Sequence, residues 1–80
     1  MINMNVIVYS TTWCPWCKLA KDFLREKKIK FEDVNVQESP DRADEMIRKS
    51  GQTGVPVIDA NGTIIVGFNK EALKNALKIK

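Results

Sequence analysis

The stretch Thr12-Trp13-Cys14-Pro15-Trp16-Cys17-Lys18 holds both cysteines of the 80-residue chain, three positions apart. It lies where an apolar strand-like run, Val6 to Tyr9, gives way to a helix-like run, Leu19 to Lys28. A helix starting here puts Cys14 at its N-cap and Pro15 at the first helical position, where a fixed φ suits the turn and the missing N–H costs nothing. Cys17 then falls one turn on, on the same side, because residues three apart on a helix are neighbours at about 5–6 Å between Cβ atoms. A small adjustment of that turn reaches disulfide geometry, so the pair can open and close without refolding. The chain must therefore supply a strand, a tight junction and a helix, in that order.

The same placement makes the two sulfurs unequal. First-turn N–H groups lack intrahelical acceptors and carry the positive end of the helix dipole, so a thiolate at Cys14 is stabilised and its pKa falls below the ordinary value of about 8.5. Cys14 is the expected nucleophile. Cys17, with the helix body behind it, is expected to be shielded and protonated until needed, as suits a resolving thiol. Lys18 and Lys21 read either as supporting charge for the thiolate or as ordinary solvated helix charge. Trp13 and Trp16 flank the reactive sulfur and read as an exposed docking face rather than as cover for a helix end.

Composition narrows the classes further. At 44% hydrophobic residues the chain is of the globular kind, and one Cys-x-x-Cys pair closes too small a loop to staple a fold. Met1-Ile2-Asn3-Met4-Asn5 has no basic segment followed by an apolar stretch. No run reaches membrane-spanning length, so the expected compartment is the cytoplasm and no membrane partner is expected. There such a pair is catalytic or metal-binding. The net charge of +3 is interspersed with acids and has no cluster of arginines and aromatics beside it, which argues against nucleic acid. With two cysteines and no histidine, one chain cannot complete a four-ligand zinc site; metal would need a dimer or added thiols.

Hydrophobic spacing orders the rest. Val6 to Tyr9 reads as a strand buried on both faces, followed by a helix with Leu19, Ala20, Phe23 and Leu24 inward. Phe31 to Val36 is a second strand with Val34 and Val36 on one face, joined to the first by a right-handed parallel crossover. Ser39-Pro40-Asp41 starts a second helix whose buried stripe is Ala43, Met46 and Ile47; Gly51 ends it, and Lys49 suits its negative pole. Val57-Ile58-Asp59 and Thr63 to Val66 flank Ala60-Asn61-Gly62, a strong hairpin signal. Asn69 caps a last helix with Leu73, Ala76 and Leu77 inward. The expected order is βαβαββα, one domain over residues 1–80, with Tyr9 and Phe68 serving mainly as packing.

That order, with Cys-Pro-Trp-Cys at the first strand-to-helix junction and Val55-Pro56 just before the hairpin, resembles the glutaredoxins and their small relatives of the thioredoxin fold. The resemblance runs from about Val6 to Leu77. It implies an α/β fold with a four-stranded mixed sheet flanked by three helices, and a cis Pro56 facing the cysteines that leaves the Val55 backbone free to pair with substrate. It also implies substrate contacts at Trp13, Pro15, Trp16, Gln52, Gly54, Val55, Pro56, Gly67, Phe68 and Asn69.

Several positions depart from the glutathione-using members. Trp16 replaces the usual tyrosine, Trp13 precedes the first cysteine as in thioredoxins, and Thr11 stands where a lysine usually meets a glutathione carboxylate. The usual Thr-Val-Pro is Gly54-Val55-Pro56. The glycine-rich stretch that usually ends in acids is Val66-Gly67-Phe68-Asn69-Lys70, and Lys70 would repel the γ-glutamyl ammonium. Gln52 remains as a polar contact to the tripeptide, and the last helix N-terminus as a carboxylate site. The glutathione site is thus incomplete. Gly67-Phe68, Val34-Asn35-Val36 and Pro40 resemble the small redoxins that supply ribonucleotide reductase and are recharged by a thioredoxin reductase, although their motif usually lacks the proline.

The implied function is dithiol–disulfide exchange on protein or small-molecule disulfides in cell redox homeostasis. A monomer with no bound metal or organic cofactor is expected, recharged by external glutathione or a thioredoxin-reductase-type flavoenzyme. The alternatives are a dimeric metal or iron–sulfur cluster-binding module and a dedicated electron donor to one enzyme, such as ribonucleotide reductase.

Overall fold

Strand β1 (Val6–Ser10) is hydrogen-bonded on both sides, and the other elements assemble around it in the computed structural model, which describes residues 5–79. The readings that involve Met1 to Met4 and Lys80 lie outside the described residues. On one side β2 (Glu32–Asn35) runs parallel, with Tyr9 opposite Val34; on the other β3 (Val57–Ala60) runs antiparallel, with Val8 opposite Ile58. Strand β4 (Thr63–Val66) pairs antiparallel with β3, giving the order β2-β1-β3-β4. Helices α1 (Pro15–Glu26), α2 (Pro40–Ser50) and α3 (Lys70–Leu77) complete the expected βαβαββα order, a thioredoxin-type fold with a mixed sheet.

Successive strand side chains point to opposite faces, and here the two faces differ in kind. Val6, Val8, Ile58, Ala60 and Ile65 pack against Ala20, Phe23 and Leu24 of α1 and Leu73 and Leu77 of α3. The opposite face buries Tyr9, Val34 and Val57 around Met46 of α2, with Ile7, Val36, Val55 and Ile64 packed against them half-buried. Full burial of such an aliphatic or aromatic side chain stabilises by about 1.5–3 kcal/mol, so the α1/α3 face carries most of the apolar stabilisation.

The turns follow local chemistry where that chemistry is strong. Asn61 (φ 54°) and Gly62 (φ 100°) form the two-residue turn with positive φ at both positions that the β3–β4 hairpin requires. Helix α1 ends at Glu26, short of the expected Lys28, because Lys28 turns left-handed (φ 59°). There the Lys28 N–H donates to the Arg25 carbonyl (3.0 Å) and the Ile29 N–H to the Leu24 carbonyl (2.9 Å). This Schellman closure is anchored by Ile29 packing on the core. Strand β2 is one residue shorter at each end than expected, although the Val36 N–H still donates to the Ser10 carbonyl (2.9 Å).

Helix α2 corrects the sequence reading most. Met46 alone of its expected stripe is buried; Ala43 is half-buried and Ile47 remains 38% exposed. Ser39 caps through its carbonyl, which accepts from the Arg42 and Ala43 N–H groups at 3.0 Å, and not through its side chain. Lys49 turns from the helix pole to the sheet, donating to the Tyr9 hydroxyl (2.8 Å) and pairing with Asp59 (2.8 Å). Tyr9, fully buried, donates its own hydroxyl to Glu45, and Arg42 links Glu45 (3.3 Å) to Glu32 on β2 (3.0 Å). A polar network thus does on this face what apolar packing does on the other. Burial and the bond to Glu45 push the Tyr9 hydroxyl pKa up, and the hydrogen bond from Tyr9 holds the Glu45 carboxyl below the ordinary value of 4.5.

Two predictions follow from α2. Met46→Ala should cost about 2–5 kcal/mol of unfolding free energy in denaturant titration, whereas Ile47→Ala should cost under about 1 kcal/mol; equal losses would mean that the helix is packed as the sequence reading has it. Glu45→Gln should cost about 1 kcal/mol at pH 7, because the group is only partly exposed and bonded to a buried hydroxyl. A carboxyl whose folded pKa is depressed contributes stability above its unfolded pKa and loses it as pH falls through the folded value. The gap between wild type and Glu45→Gln should therefore narrow as pH drops below 4.5, and a gap that widens would reverse the assignment.

Candidate active site

The cysteines sit where the sequence reading put them. Cys14 is the N-cap of α1 with extended backbone (φ −149°), Pro15 is in the first helical turn, and the Lys18 N–H closes that turn on the Cys14 carbonyl at 3.1 Å. The Cys14 Sγ accepts a hydrogen bond from the Cys17 backbone N–H at 3.1 Å, so a first-turn donor with no helical acceptor is aimed at the leading sulfur. The two residues are joined by a disulfide across a Cα separation of 5.1 Å. Cys14 is half-buried, while Cys17 is 1% exposed beneath it. The trailing sulfur is enclosed and the leading one reachable.

The approach loop is held by residues distant in sequence. The Thr12 N–H donates to Gln37 Oε1 (3.0 Å), its hydroxyl accepts from Asn35 Nδ2 (3.1 Å), and the Gln37 N–H closes on Asn35 Oδ1 (2.9 Å). Below it, Ser10, the one buried polar residue among those described, donates to Asp33 (3.0 Å), which also pairs with Lys21 (3.1 Å). Lys18 pairs with Asp22 at 2.8 Å. Both lysines, read as either thiolate support or ordinary helix charge, pair with acids, and the donor at the Cys14 sulfur is backbone.

Around the disulfide the surface is apolar. Trp13 is 91% and Trp16 60% exposed, and Leu19, one turn beyond Trp16, is 47% exposed although the helical pattern counts it as core. Its position three residues after Trp16 was the available signal. Trp16, Val55, Pro56, Gly67 and Phe68 line a groove of about 260 Å³ that joins three segments of chain. The Val55–Pro56 bond is cis, as the resemblance implies, and the Gly67 N–H donates to the Pro56 carbonyl (2.8 Å), tying the end of β4 to the cis proline. Gly67 takes φ 81°, a left-handed conformation suited to glycine. Phe68 both lines the groove and packs edge-on to Phe23, with ring centroids 6.0 Å apart.

Two expected substrate contacts are occupied internally. Asn69 spends its side-chain oxygen capping α3, accepting from the Ala72 N–H at 3.0 Å, with Lys70 and Glu71 opening the helix. Gln52 turns its carboxamide onto the Gly54 backbone, which takes both its oxygen and its amide nitrogen. Gly54 itself is exposed. Among the described residues no group of three or more histidine, cysteine, aspartate or glutamate side chains is placed to hold a metal ion, and no helix is long and apolar enough to cross a membrane.

A thioredoxin fold carrying a Cys-x-x-Cys disulfide at the N-terminus of its first helix, beside a cis proline, defines a thiol–disulfide redox protein. The family model for glutaredoxin matches residues 6–65. A relative from Clostridium pasteurianum, a glutaredoxin-like 8.6 kDa protein in the rubredoxin operon, is 48% identical over 71 residues, covering 89% of this chain and 95% of its own length. The glutaredoxin-like protein NrdH of Lactococcus lactis subsp. lactis is 34% identical over 68 residues, 85% of this chain and 93% of that protein. Among solved structures, a glutaredoxin (grx-1) from Archaeoglobus fulgidus superposes with a TM-score of 0.83 at 27% identity, over 91% of this chain and 85% of that one. The chain belongs to the glutaredoxin family, whose general activity is thiol–disulfide exchange.

The geometry predicts unequal thiols once the disulfide is reduced. Iodoacetamide should label Cys14 well ahead of Cys17, with a half-maximal rate at a pH well under about 8.5. Equal labelling, or an ordinary pH midpoint, would remove the helix N-terminus as the source of reactivity.

Proposed function

We propose that this protein is a cytoplasmic, monomeric dithiol–disulfide oxidoreductase acting on protein disulfides, with Cys14 as nucleophile and Cys17 as resolving thiol. The observation that carries the reading is the inequality of the two sulfurs: one at a helix N-cap with a backbone donor, the other enclosed. The Cys14 thiolate attacks one sulfur of the substrate disulfide, and the other substrate sulfur leaves as a thiolate and takes a proton. Cys17 then gives up its proton and attacks the Cys14 sulfur, releasing the second substrate thiol and forming the Cys14–Cys17 disulfide. Two electrons pass from protein to substrate. Trp13, Trp16 and Leu19 form the apolar face on which the substrate protein docks.

A flavoprotein disulfide reductase, rather than glutathione, returns the two electrons. The glutathione contacts carried over from the family are compromised here: Asn69 is engaged in capping, Lys70 stands where an acid would hold an ammonium group, and the Gln52 amide is engaged by the Gly54 backbone.

Both halves are testable. Cys17→Ser should trap a disulfide-bearing protein substrate on Cys14 as a mixed disulfide visible by mass spectrometry; absence of the adduct would sink the assigned roles. Wild-type protein should turn over with NADPH and a thioredoxin reductase, and at least tenfold more slowly with glutathione and glutathione reductase. Comparable rates would reject the donor assignment while leaving the exchange mechanism intact.

A further inference from the structure

The loop between α2 and β3 contains a side-chain device with no part in the mechanism above. Gln52 donates its Nε2 to the Gly54 carbonyl at 2.9 Å and accepts the Gly54 N–H on Oε1 at 2.7 Å. One carboxamide thus satisfies both backbone polar groups of a single residue, as an opposing strand residue would. The loop is anchored behind this clasp, because the Ser50 hydroxyl donates to the Met46 carbonyl at 2.8 Å and accepts from the Gln52 N–H at 3.3 Å. Beyond it comes Val55, whose N–H and carbonyl make no hydrogen bond among the described residues. The Pro56 carbonyl is already taken by Gly67. In the run Gly54-Val55-Pro56, only Val55 keeps both a free donor and a free acceptor.

We propose that Gln52 is a positioning residue that reserves the Val55 backbone for one residue of an extended peptide, and so biases the protein toward disulfides carried on peptide chains over small disulfides without a backbone. This inference rests on the exchange function proposed above. The clasp acts in two ways. It holds the residue preceding Val55 in one conformation before substrate arrives, which reduces the ordering that binding requires. It also removes Gly54 as a competing hydrogen-bonding site, which narrows the registers open to an incoming strand. Gly54 is matched to it, because a Cβ there would lie 2.8 Å from Gln52 Oε1. That oxygen ends a flexible side chain, so Gly54→Ala should fold and simply dislodge the amide.

Four variants, Gln52→Ala, Gly54→Ala, the double Gln52→Ala/Gly54→Ala and Gln52→Glu, test this with pre-reduced protein in single turnover. Two probes are compared: a short peptide carrying one intramolecular disulfide, and hydroxyethyl disulfide, which has no peptide backbone. The selectivity ratio, peptide rate over small-disulfide rate, should fall about three- to tenfold in Gln52→Ala, the scale of one or two lost hydrogen bonds. Gly54→Ala should fall by a similar factor, and the double variant no further than either alone, because both open the same clasp. Gln52→Glu supplies a readout that a merely structural role would not move. Ionised, its carboxylate faces the Gly54 carbonyl without a proton to donate; protonated, near or below a pH of about 4.3, it remakes both bonds. Its ratio, normalised to wild type at each pH, should match Gln52→Ala at pH 8 and climb toward wild type as pH falls. An unchanged ratio in Gln52→Ala, additive losses in the double variant, or a pH-independent Gln52→Glu deficit would each overturn the proposal. If wild-type protein reduces neither probe, the exchange function fails first, and the two failures are told apart.

Discussion

The contact on which the site depends is the hydrogen bond from the Cys17 N–H to the Cys14 sulfur. It exists because Cys14 occupies the N-cap of α1, and Cys14 occupies it because β1 ends at Ser10 and Pro15 can only open a helix, not extend one backward. Every other element serves to keep that junction in place. Ala20, Phe23 and Leu24 fix α1 on the sheet, Ser10 and Asp33 pin the last residue of β1, and Asn35 and Gln37 hold Thr12. The first helical turn is therefore rigid before chemistry begins, so the donor aimed at the sulfur need not be recruited during the reaction.

The groove is assembled from pieces that do not otherwise belong together. Trp16 comes from α1, Val55 and Pro56 from the loop before β3, and Gly67 and Phe68 from the loop after β4. The bond from Gly67 to the Pro56 carbonyl joins the last two, and the Phe23–Phe68 edge contact joins the last to the first. The groove is thus coupled through packing to the helix that carries the cysteines. The exposed indole of Trp13 lies outside it. Under the proposed function, the groove would receive the chain near the disulfide and the indole would extend the surface open to a protein partner.

What could be read from sequence was local. The N-cap with its following proline, the Asn61-Gly62 turn and the continuous apolar run of β1 each depend on residues within a few positions, and each is found. What could not be read depends on pairing across the chain. The left-handed Lys28 reflects Ile29 finding the core, and no glycine announces it. The exposure of Leu19 and Ile47 follows from how far a four-stranded sheet extends under each helix, which periodicity does not encode. Lys18, Lys21, Gln52 and Asn69 were legible as polar groups near the site, but not their partners, which draw each of them into a structural bond.

The contrast between the two faces of the sheet bears on how such a small chain can host a reactive site. The α1/α3 face is apolar and carries the cysteine helix, so loss of packing there would disturb the first turn directly. The α2 face rests on Met46 and on hydrogen bonds and ion pairs from Tyr9, Glu45, Lys49, Asp59, Arg42 and Glu32. Such networks demand specific geometry while adding little net energy each, and they hold α2 on the sheet, while the helix itself ends at the left-handed Gly51 (φ 75°). From that end runs the loop of Ser50, Gln52 and Gly54 into Val55 and Pro56. The face that contributes less apolar packing therefore leads, through α2, into the segment that carries the cis proline. Tyr9, buried in β1 yet bonded to α2, ties that helix to the central strand.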